Sequence, residues 1–375
     1  MHNTLDSDSE DELPPGWEEK STEDGNVYFV NTLNNKTQWT HPRTGHKKII
    51  PKDFPFGWIK TLDETEKPLY VHLETGNKTY VDPRLAFATA EKKHVYDFRQ
   101  RFDGSTTAFQ VLHGVDLSGK YALITGCNAG IGYETAKSLA RHGCNILLAN
   151  RNMEATQTAI EQIVKETNTS DENLKAIHLD LSSLKSVKQC ARAVKTIFSD
   201  HLDMLILNAG VFGLPYEETE DKLDRTFQVN HLSHMYFALL LEPLLKNGSR
   251  VVFVSSESHR TASLKNVFVR QNLAHPRDNY SAMLAYGNSK LYNVITAMQQ
   301  AAATTVYVAT ASELDEVTGL YFNNCFYCEP ASLARDKDIA HEVFSISLCM
   351  IQERMGAEII QPYIDKYCAK KRTSK

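Results

Sequence analysis

Lys120-Tyr121-Ala122-Leu123-Ile124-Thr125 reads as a buried strand. It runs without a break into Gly126-Cys127-Asn128-Ala129-Gly130-Ile131-Gly132, and helical patterning continues from Ile131 to about Arg141. Strand, glycine-rich turn and helix in immediate succession leave few folding options. The glycines let the backbone come close to a bound group, and the start of the helix offers N–H groups with no partner of their own. Together they make a cradle for a phosphate.

The text after this unit repeats its texture. Apolar strand runs are expected at Asn145 to Ala149, Leu174 to Leu179, Met204 to Leu207 and Arg250 to Val254, with helical stretches between them. A long helix is expected from about Lys222 to Leu245. Strands alternating with helices predict βαβ units and a parallel, doubly wound sheet of the Rossmann type. The glycine spacing is Gly-x-x-x-Gly-x-Gly, a weak signal alone that gains its weight from the strand and helix around it. The second strand ends in Asn150-Arg151. An acid commonly stands at this strand end to hold the ribose diol of NAD. Here a guanidinium follows instead, which suits a 2′-phosphate, so NADP is expected ahead of NAD.

Residues 13–84 differ: they are dense in Trp, Tyr, Pro, Thr and Asn, with short aromatic runs between turn signals. They contain a repeat. Leu13-Pro14-Pro15-Gly16-Trp17 opens one copy and Phe54-Pro55-Phe56-Gly57-Trp58 the other; Trp39-Thr40-His41-Pro42 closes the first and Tyr80-Val81-Asp82-Pro83 the second. The copies resemble WW domains, three-stranded sheets small enough to be marginal alone. The resemblance implies that Trp17 packs with Pro42, and Trp58 with Pro83. It also implies that Tyr28 and Trp39 form a groove for a proline-rich segment, with Val30 and Thr32 at the pocket that takes a ligand tyrosine. A polyproline helix is already stiff and costs little entropy to bind. The family usually has His where Thr32 stands, which bears on Pro-Pro-x-Tyr recognition. In the second copy Leu69, Tyr80 and Leu73 replace the groove positions, so it is expected to support the first copy with little affinity of its own.

Further along, Tyr286-Gly287-Asn288-Ser289-Lys290 places Tyr and Lys one helical turn apart on one face. A phenol, with an ordinary pKa near 10, is a poor acid or base at neutral pH. A neighbouring ammonium favours the phenolate. Such a tyrosine can exchange a proton with a hydroxyl or carbonyl oxygen while a nicotinamide exchanges hydride. The order of the glycine-rich turn, Asn208-Ala209-Gly210, Ser255-Ser256 and Tyr286-x-x-x-Lys290 resembles the short-chain dehydrogenase/reductase family. The resemblance implies a tetrad of Asn230, Ser256, Tyr286 and Lys290. Ser256 would bond the substrate oxygen, and Asn230 would hold a water beside Lys290. It also places Asp180 beside the adenine and Asn208 at the cofactor. The cofactor contacts expected are Gly126, Cys127, Asn128, Ala129, Gly130, Ile131, Gly132, Arg151, Asp180 and Asn208. The whole chain from Leu13 onward resembles oxidoreductases that carry WW modules. That resemblance implies a cytoplasmic signalling protein, with nuclear or mitochondrial presence, and a role in apoptosis and metabolism.

The expected organisation is therefore an acidic, disordered lead (1–12), a first WW module (13–43), a degenerate second (54–84), a linker (85–115) and a dehydrogenase-like domain (116–375). One departure stands out. After Lys290 the family would complete its helix, then a sixth strand and a substrate-covering loop. A crossover alone needs about 10–12 residues. Here Leu291 to Ala297 leads directly into a segment resembling a later helix, Met298 to Ala309, and then a strand signal at Gly319 to Asn323. About fifty residues of the resembled fold are missing, and an exposed edge beside the fifth strand is the expected consequence. The substrate pocket would be drawn from the missing part and from Thr261 to Asn279.

Composition excludes several classes. A net charge of −5 gives no global positive field for nucleic acid, and Lys47-Lys48 is too short a basic patch. No apolar run is long enough to span a bilayer, and the acidic start is not expected to be a signal peptide. Seven cysteines, odd in number and scattered, fit a reducing compartment. The lone Cys325-x-x-Cys328 pair lacks a second half, so no metal site is expected. Two functions stay open: an NADP-dependent alcohol/carbonyl oxidoreductase targeted by its WW modules, or a non-catalytic WW adaptor built on a dehydrogenase-like scaffold.

Overall fold

The computed structural model describes residues 13–22, 24–51, 53–91, 102, 106–198, 200–264, 273–274, 277–300, 305–311, 314, 317–323, 325–358 and 360–367. The acidic lead and most of 265–276 lie outside them. The chain divides into two compact units, 1–97 with 113–116, and 98–112 with 117–375.

The first unit holds two three-stranded antiparallel sheets. One comprises β1 (Trp17–Ser21), β2 (Val27–Asn31) and β3 (Thr37–Gln38). After β4 (Lys48–Ile49), the other comprises β5 (Trp58–Leu62), β6 (Pro68–His72) and β7 (Lys78–Thr79). Alternation decides the faces. Val27 and Phe29 are buried while Tyr28 and Val30 look the other way. The segment expected to be a plain linker carries structure. A 3₁₀ turn spans Pro83–Phe87, and β8 (Thr89–Ala90) pairs with β4. Asp82 ties the unit together. Its carboxylate is bonded by Arg84, by the Tyr70 hydroxyl at 3.4 Å and by the Ser21 hydroxyl of β1 at 3.4 Å.

In the second unit, α1 (Ala108–Val111) precedes the alternating core. That core runs β9 (Tyr121–Thr125), α2 (Gly130–Arg141), β10 (Asn145–Asn150), α3 (Met153–Thr167), β11 (Leu174–His178), α4 (Leu184–Ile197), β12 (Met204–Leu207). The expected long helix starts only at Arg225, because Asp224 caps it through the N–H groups of Thr226 and Phe227. It passes from α5 (Arg225–Phe227) through a π-helical turn, Gln228–Leu232, into α6 (Ser233–Leu241). Then come β13 (Arg250–Phe253), α7 (Ala282–Gln300), α8 (Thr305–Thr310), a hairpin of β14 (Tyr321–Asn323) and β15 (Phe326–Cys328), and α9 (Ser332–Arg335), α10 (Lys337–Met355) and α11 (Gln361–Tyr367).

The sheet is parallel throughout, in the order β11-β10-β9-β12-β13. Its central strands β10, β9 and β12 are buried on both faces, which accounts for their near-continuous apolar runs, while the edge strand β11 exposes Lys175 and His178. Among the described residues no strand of this sheet lies beyond β13. Beside it, α8 packs against β13, β12 and α2. The Arg250 guanidinium donates to the carbonyls of Val308 and Ala311. The predicted later helix is split accordingly, with α7 running on to Gln300 and α8 separate.

Two histidines of the helical run, His231 and His234, are fully buried, and burial pushes each imidazole down to about 3. The folded values lie below the unfolded value near 6.5, so the unfolded chain takes up protons first. Stability from these groups is present above pH 6.5 and is lost as pH falls. Each contributes a slope of about 1.4 kcal/mol per pH unit. Moving from pH 6.5 to 5.5 should therefore cost the second unit roughly 2–3 kcal/mol. Urea unfolding followed by helical circular dichroism reads this, since all three tryptophans (Trp17, Trp39, Trp58) lie in the first unit. An unchanged urea midpoint would refute it.

Candidate active site and peptide groove

The glycine-rich turn leaves the end of β9 and is held by close backbone packing. A Cβ on Gly132 would meet the Gly126 carbonyl oxygen at 2.3 Å, and one on Gly126 would meet Ala209 Cα at 2.6 Å. Gly126 and Gly130 have positive φ, 67° and 61°. Above Gly130 the space is open, with nothing within 4 Å of where a Cβ would stand. Asn128, Ala129, Gly130 and Ile131 are exposed, and α2 begins with no side-chain cap on its free N–H groups. This concave, uncapped helix start fits a dinucleotide pyrophosphate.

Neighbouring side chains brace the turn. The Asn208 amide donates to the carbonyls of Thr125 (3.0 Å) and Gly126 (2.8 Å). Asn150, at the end of β10, accepts the Cys127 N–H at 2.8 Å, so its side chain is turned inward while Arg151 stays exposed. Cys127 is buried and its thiol is pushed up to about 12 by burial, which makes it a packing group. Asp180 is half-buried, with one carboxylate oxygen accepting the N–H and hydroxyl of Ser182.

Thr125 joins this cradle to the residues beyond it. Its hydroxyl oxygen accepts the N–H groups of Asn208 and Ala209, both at 3.0 Å. Its proton is left for His234 Nε2, also at 3.0 Å. The other ring nitrogen of His234 then carries hydrogen and donates to the Asn230 carbonyl at 3.2 Å.

Asn230 sits within the π-helical turn, a distortion that widens the helix locally. Its amide bonds both ways with the Val211 backbone (2.7 and 2.9 Å) and donates to Ser289 at 3.0 Å. Lys290 is buried on α7 and donates to the Val254 carbonyl at 2.9 Å; burial lowers it to about 8. A Cβ on Gly210 would lie 3.4 Å from Asn230 Oδ1 and 3.5 Å from Lys290 Nζ, so these two groups converge on one glycine. Lys290 Nζ lies 5.6 Å from the centre of the Tyr286 ring, whose edge meets Phe212 at 4.8 Å between centroids. Ser256 caps a 3₁₀ turn, Glu257–Thr261. That turn packs on α7 at Gly287, where an added Cβ would stand 3.0 Å from the Ser258 carbonyl oxygen. The four tetrad positions thus come from the segment after β13 (Ser256), the π turn (Asn230) and α7 (Tyr286 and Lys290).

Sequence reasoning missed Asn293. Its amide donates to the carbonyls of Asn230 (3.0 Å) and Val254 (3.4 Å), bracing the Asn230 turn and the anchor of Lys290 from one point. The available signal was a lone polar residue one helical turn after Lys290 in an apolar run.

In the first unit Tyr28 and Trp39 meet edge to face, 5.8 Å between centroids and 60° apart. Register puts Val30 on the same face, and Trp39 is 56% exposed, so an aromatic surface is open to solvent. The Thr32 hydroxyl turns back onto the Gly16 carbonyl at 3.0 Å. Trp17 and Pro42 are half-buried. On the second sheet the matching face carries Leu69, Val71 and Tyr80, with the Tyr80 hydroxyl bonded to Asp63 at 3.0 Å. Leu73 is exposed there.

Comparison with known proteins agrees with both halves. Residues 120–267 match the short chain dehydrogenase family and residues 13–42 the WW domain family. A WW domain-containing oxidoreductase of Drosophila melanogaster is 45% identical, covering 94% of this chain and 98% of the relative. The relative of that name from Homo sapiens is 39% identical over 94% and 97%. Human retinol dehydrogenase 13 is 29% identical over 63% of this chain and 85% of its own. A crystal structure of an uncharacterised protein from Mycobacterium paratuberculosis shares the fold, with a TM-score of 0.53 and 24% identity over 63% of this chain and 95% of that one. The Drosophila alignment runs over 404 positions, more than the 375 residues here, so the relative has residues opposite gaps in this chain. With near-complete coverage at this identity, the chain belongs to the family of WW domain-containing oxidoreductases, short-chain dehydrogenases that carry WW modules.

Proposed function

We propose that this oxidoreductase uses NADP to interconvert an alcohol and a carbonyl, and that its first WW module brings it to proline-rich partners. The observation that supports the reading most is the convergence of Asn230, Lys290 and Tyr286 beside an open glycine cradle. The nicotinamide cofactor, when bound, supplies or accepts the hydride. The glycine-rich turn and the start of α2 hold its pyrophosphate, Asn208 braces that turn, Asp180 lies toward the adenine, and Arg151 reads the 2′-phosphate. Tyr286 gives a proton to, or takes one from, the substrate oxygen. The Ser256 hydroxyl bonds that oxygen. Lys290 keeps a positive charge beside the phenol, and Asn230 positions a water next to Lys290.

A second reading has its own support. Among the described residues no sixth strand shields the far side of the cleft, which favours a WW adaptor in signalling, including apoptosis, on a scaffold that binds cofactor without turnover.

Three results follow. The purified chain should bind NADPH saturably and more tightly than NADH in calorimetry, and Arg151→Ser should weaken NADPH by about tenfold while leaving NADH alone. Equal losses would remove Arg151 from the site, and no binding of either cofactor would leave the first WW module as the working part. Reduction of an apolar ketone or aldehyde should fall by about 10²–10⁴ in Tyr286→Phe. The wild-type rate should decline above about pH 8, where Lys290 loses its proton. Turnover surviving in Tyr286→Phe would end the catalytic assignment. Finally, fluorescence anisotropy with a Pro-Pro-x-Tyr peptide should show roughly thirtyfold weaker binding for Trp39→Ala and little change for Tyr80→Ala. Unchanged capture by Trp39→Ala would place the peptide elsewhere.

A further inference from the structure

The turn that follows Ser256 is gripped from its far side by the C-terminal part of the same unit. His259 is completely buried in that grip. One ring nitrogen, Nδ1, lies 2.7 Å from the Ser256 carbonyl oxygen, and the other, Nε2, lies 3.2 Å from the backbone nitrogen of Ala331. The two partners settle the protonation state. A carbonyl only accepts and a backbone N–H only donates, so Nδ1 carries the hydrogen and Nε2 the lone pair. The imidazole bridges a peptide at one end of the candidate tetrad to a peptide about seventy residues later in sequence.

Contacts around the ring extend this bridge. The Tyr321 ring of β14 packs on it at 4.8 Å between centroids. The Tyr321 hydroxyl and the Asn323 amide both donate to Glu257, at 3.0 and 3.1 Å. Arg260 pairs with Glu257 at 2.8 Å and donates to the Glu329 carbonyl at 2.8 Å. On its opposite side the turn lies against Gly287, the neighbour of Tyr286, too tightly to admit a side chain there without displacement. A shift of this turn therefore moves Ser256 relative to Tyr286.

We propose that His259 is a positioning residue: as a neutral imidazole it clamps the Ser256 peptide to the Ala331 peptide and makes segment 321–331 the support for the Ser256 side of the site. Its effect on turnover rests on the roles given to Ser256 and Tyr286 above; the clamp does not. Acid opposes it, because a second ring proton would point a donor at the Ala331 N–H. The charged and titratable groups facing the ring are Glu257 and Arg260 on its own turn, Tyr321 on the hairpin, and Glu329, which pairs with Arg335, on the segment before α9. Burial, the largest influence, holds the imidazole below its ordinary value, with Arg260 acting in the same sense and Glu257 against it.

The test is amide hydrogen exchange on the full chain at pH 7.5 and 5.0, corrected for intrinsic rates, in wild type, His259→Gln and His259→Phe. Gln keeps an acceptor and cannot titrate in this range; Phe fills the volume without an acceptor. The Ala331 amide should be protected in wild type at pH 7.5 and lose about five- to tenfold of that protection at pH 5.0, the equivalent of one hydrogen bond. It should remain protected at both values in Gln and exchange fast at both in Phe. Protection retained in Phe would show that the ring only fills space and would overturn the proposal. If Phe does not fold, the comparison of wild type with Gln decides: identical pH responses in the two would overturn it equally. Where turnover is measurable, Phe should lower kcat with NADPH affinity unchanged, and Gln should restore it. Absence of turnover in wild type would defeat the catalytic reading and leave the exchange result standing.

Discussion

The hydroxyl of Thr125 holds the second unit's site in one piece. It stands at the end of the central strand, accepts two consecutive backbone N–H groups from the end of β12, and donates to His234. One hydroxyl thereby fixes where the glycine-rich turn departs, where Asn208 is placed and where the π turn of Asn230 sits. In the dry centre of the unit these bonds have no competition from water, and an unmade one would leave a buried polar atom at high cost. His234 can play its part only as a neutral ring, and its burial keeps it neutral. The fold thus exchanges acid tolerance for a rigid link between the glycine-rich turn and the π turn of Asn230.

What could be read from the chain alone follows from which forces are local. The central strand runs were legible because strands covered on both faces demand nearly uninterrupted apolar residues, and β12 was read to its exact ends, Met204 to Leu207. The glycine turn was legible because backbone approach leaves no alternative residue at Gly126 or Gly132. Asn293, His234 and His259 were not, since each works by tying its own part of the chain to groups that sequence places far away. The bond from His259 to Ala331 spans 72 positions and leaves no periodic trace. The start of the long helix was misplaced by three residues because Asp224 competes as a cap, a choice made by its own side chain and not by hydrophobic period.

The missing sixth strand had been expected to leave an open edge on β13. β13 is the last strand of the sheet, and other parts of the chain pack near it. Arg250 reaches the carbonyls at the end of α8 and just beyond it, satisfying acceptors that a helix terminus leaves free. The β14–β15 hairpin leans on the turn after Ser256 through Glu257 and His259. Neither device replaces a strand's ladder of hydrogen bonds. Support for the Ser256 side therefore comes from side chains reaching across sequence rather than from the sheet itself.

The first unit shows the same economy in a smaller sheet. Two copies of one module share an arrangement of strands and yet present different faces. The first offers an exposed Trp39 against Tyr28, a rigid pair that loses little freedom when a proline ring packs on it. The second has Leu69 in place of the tyrosine, and Tyr80, which stands where Trp39 does in the first, is tethered by its hydroxyl to Asp63. What the second copy does contribute is Asp82, which takes a bond from Ser21 on the first sheet while holding Arg84 and Tyr70 on its own side. A module of this size buries too little to be secure alone. Joining a poor groove to a good one through a buried carboxylate therefore makes physical sense: the copy that has lost its groove aromatics still anchors the copy that kept them.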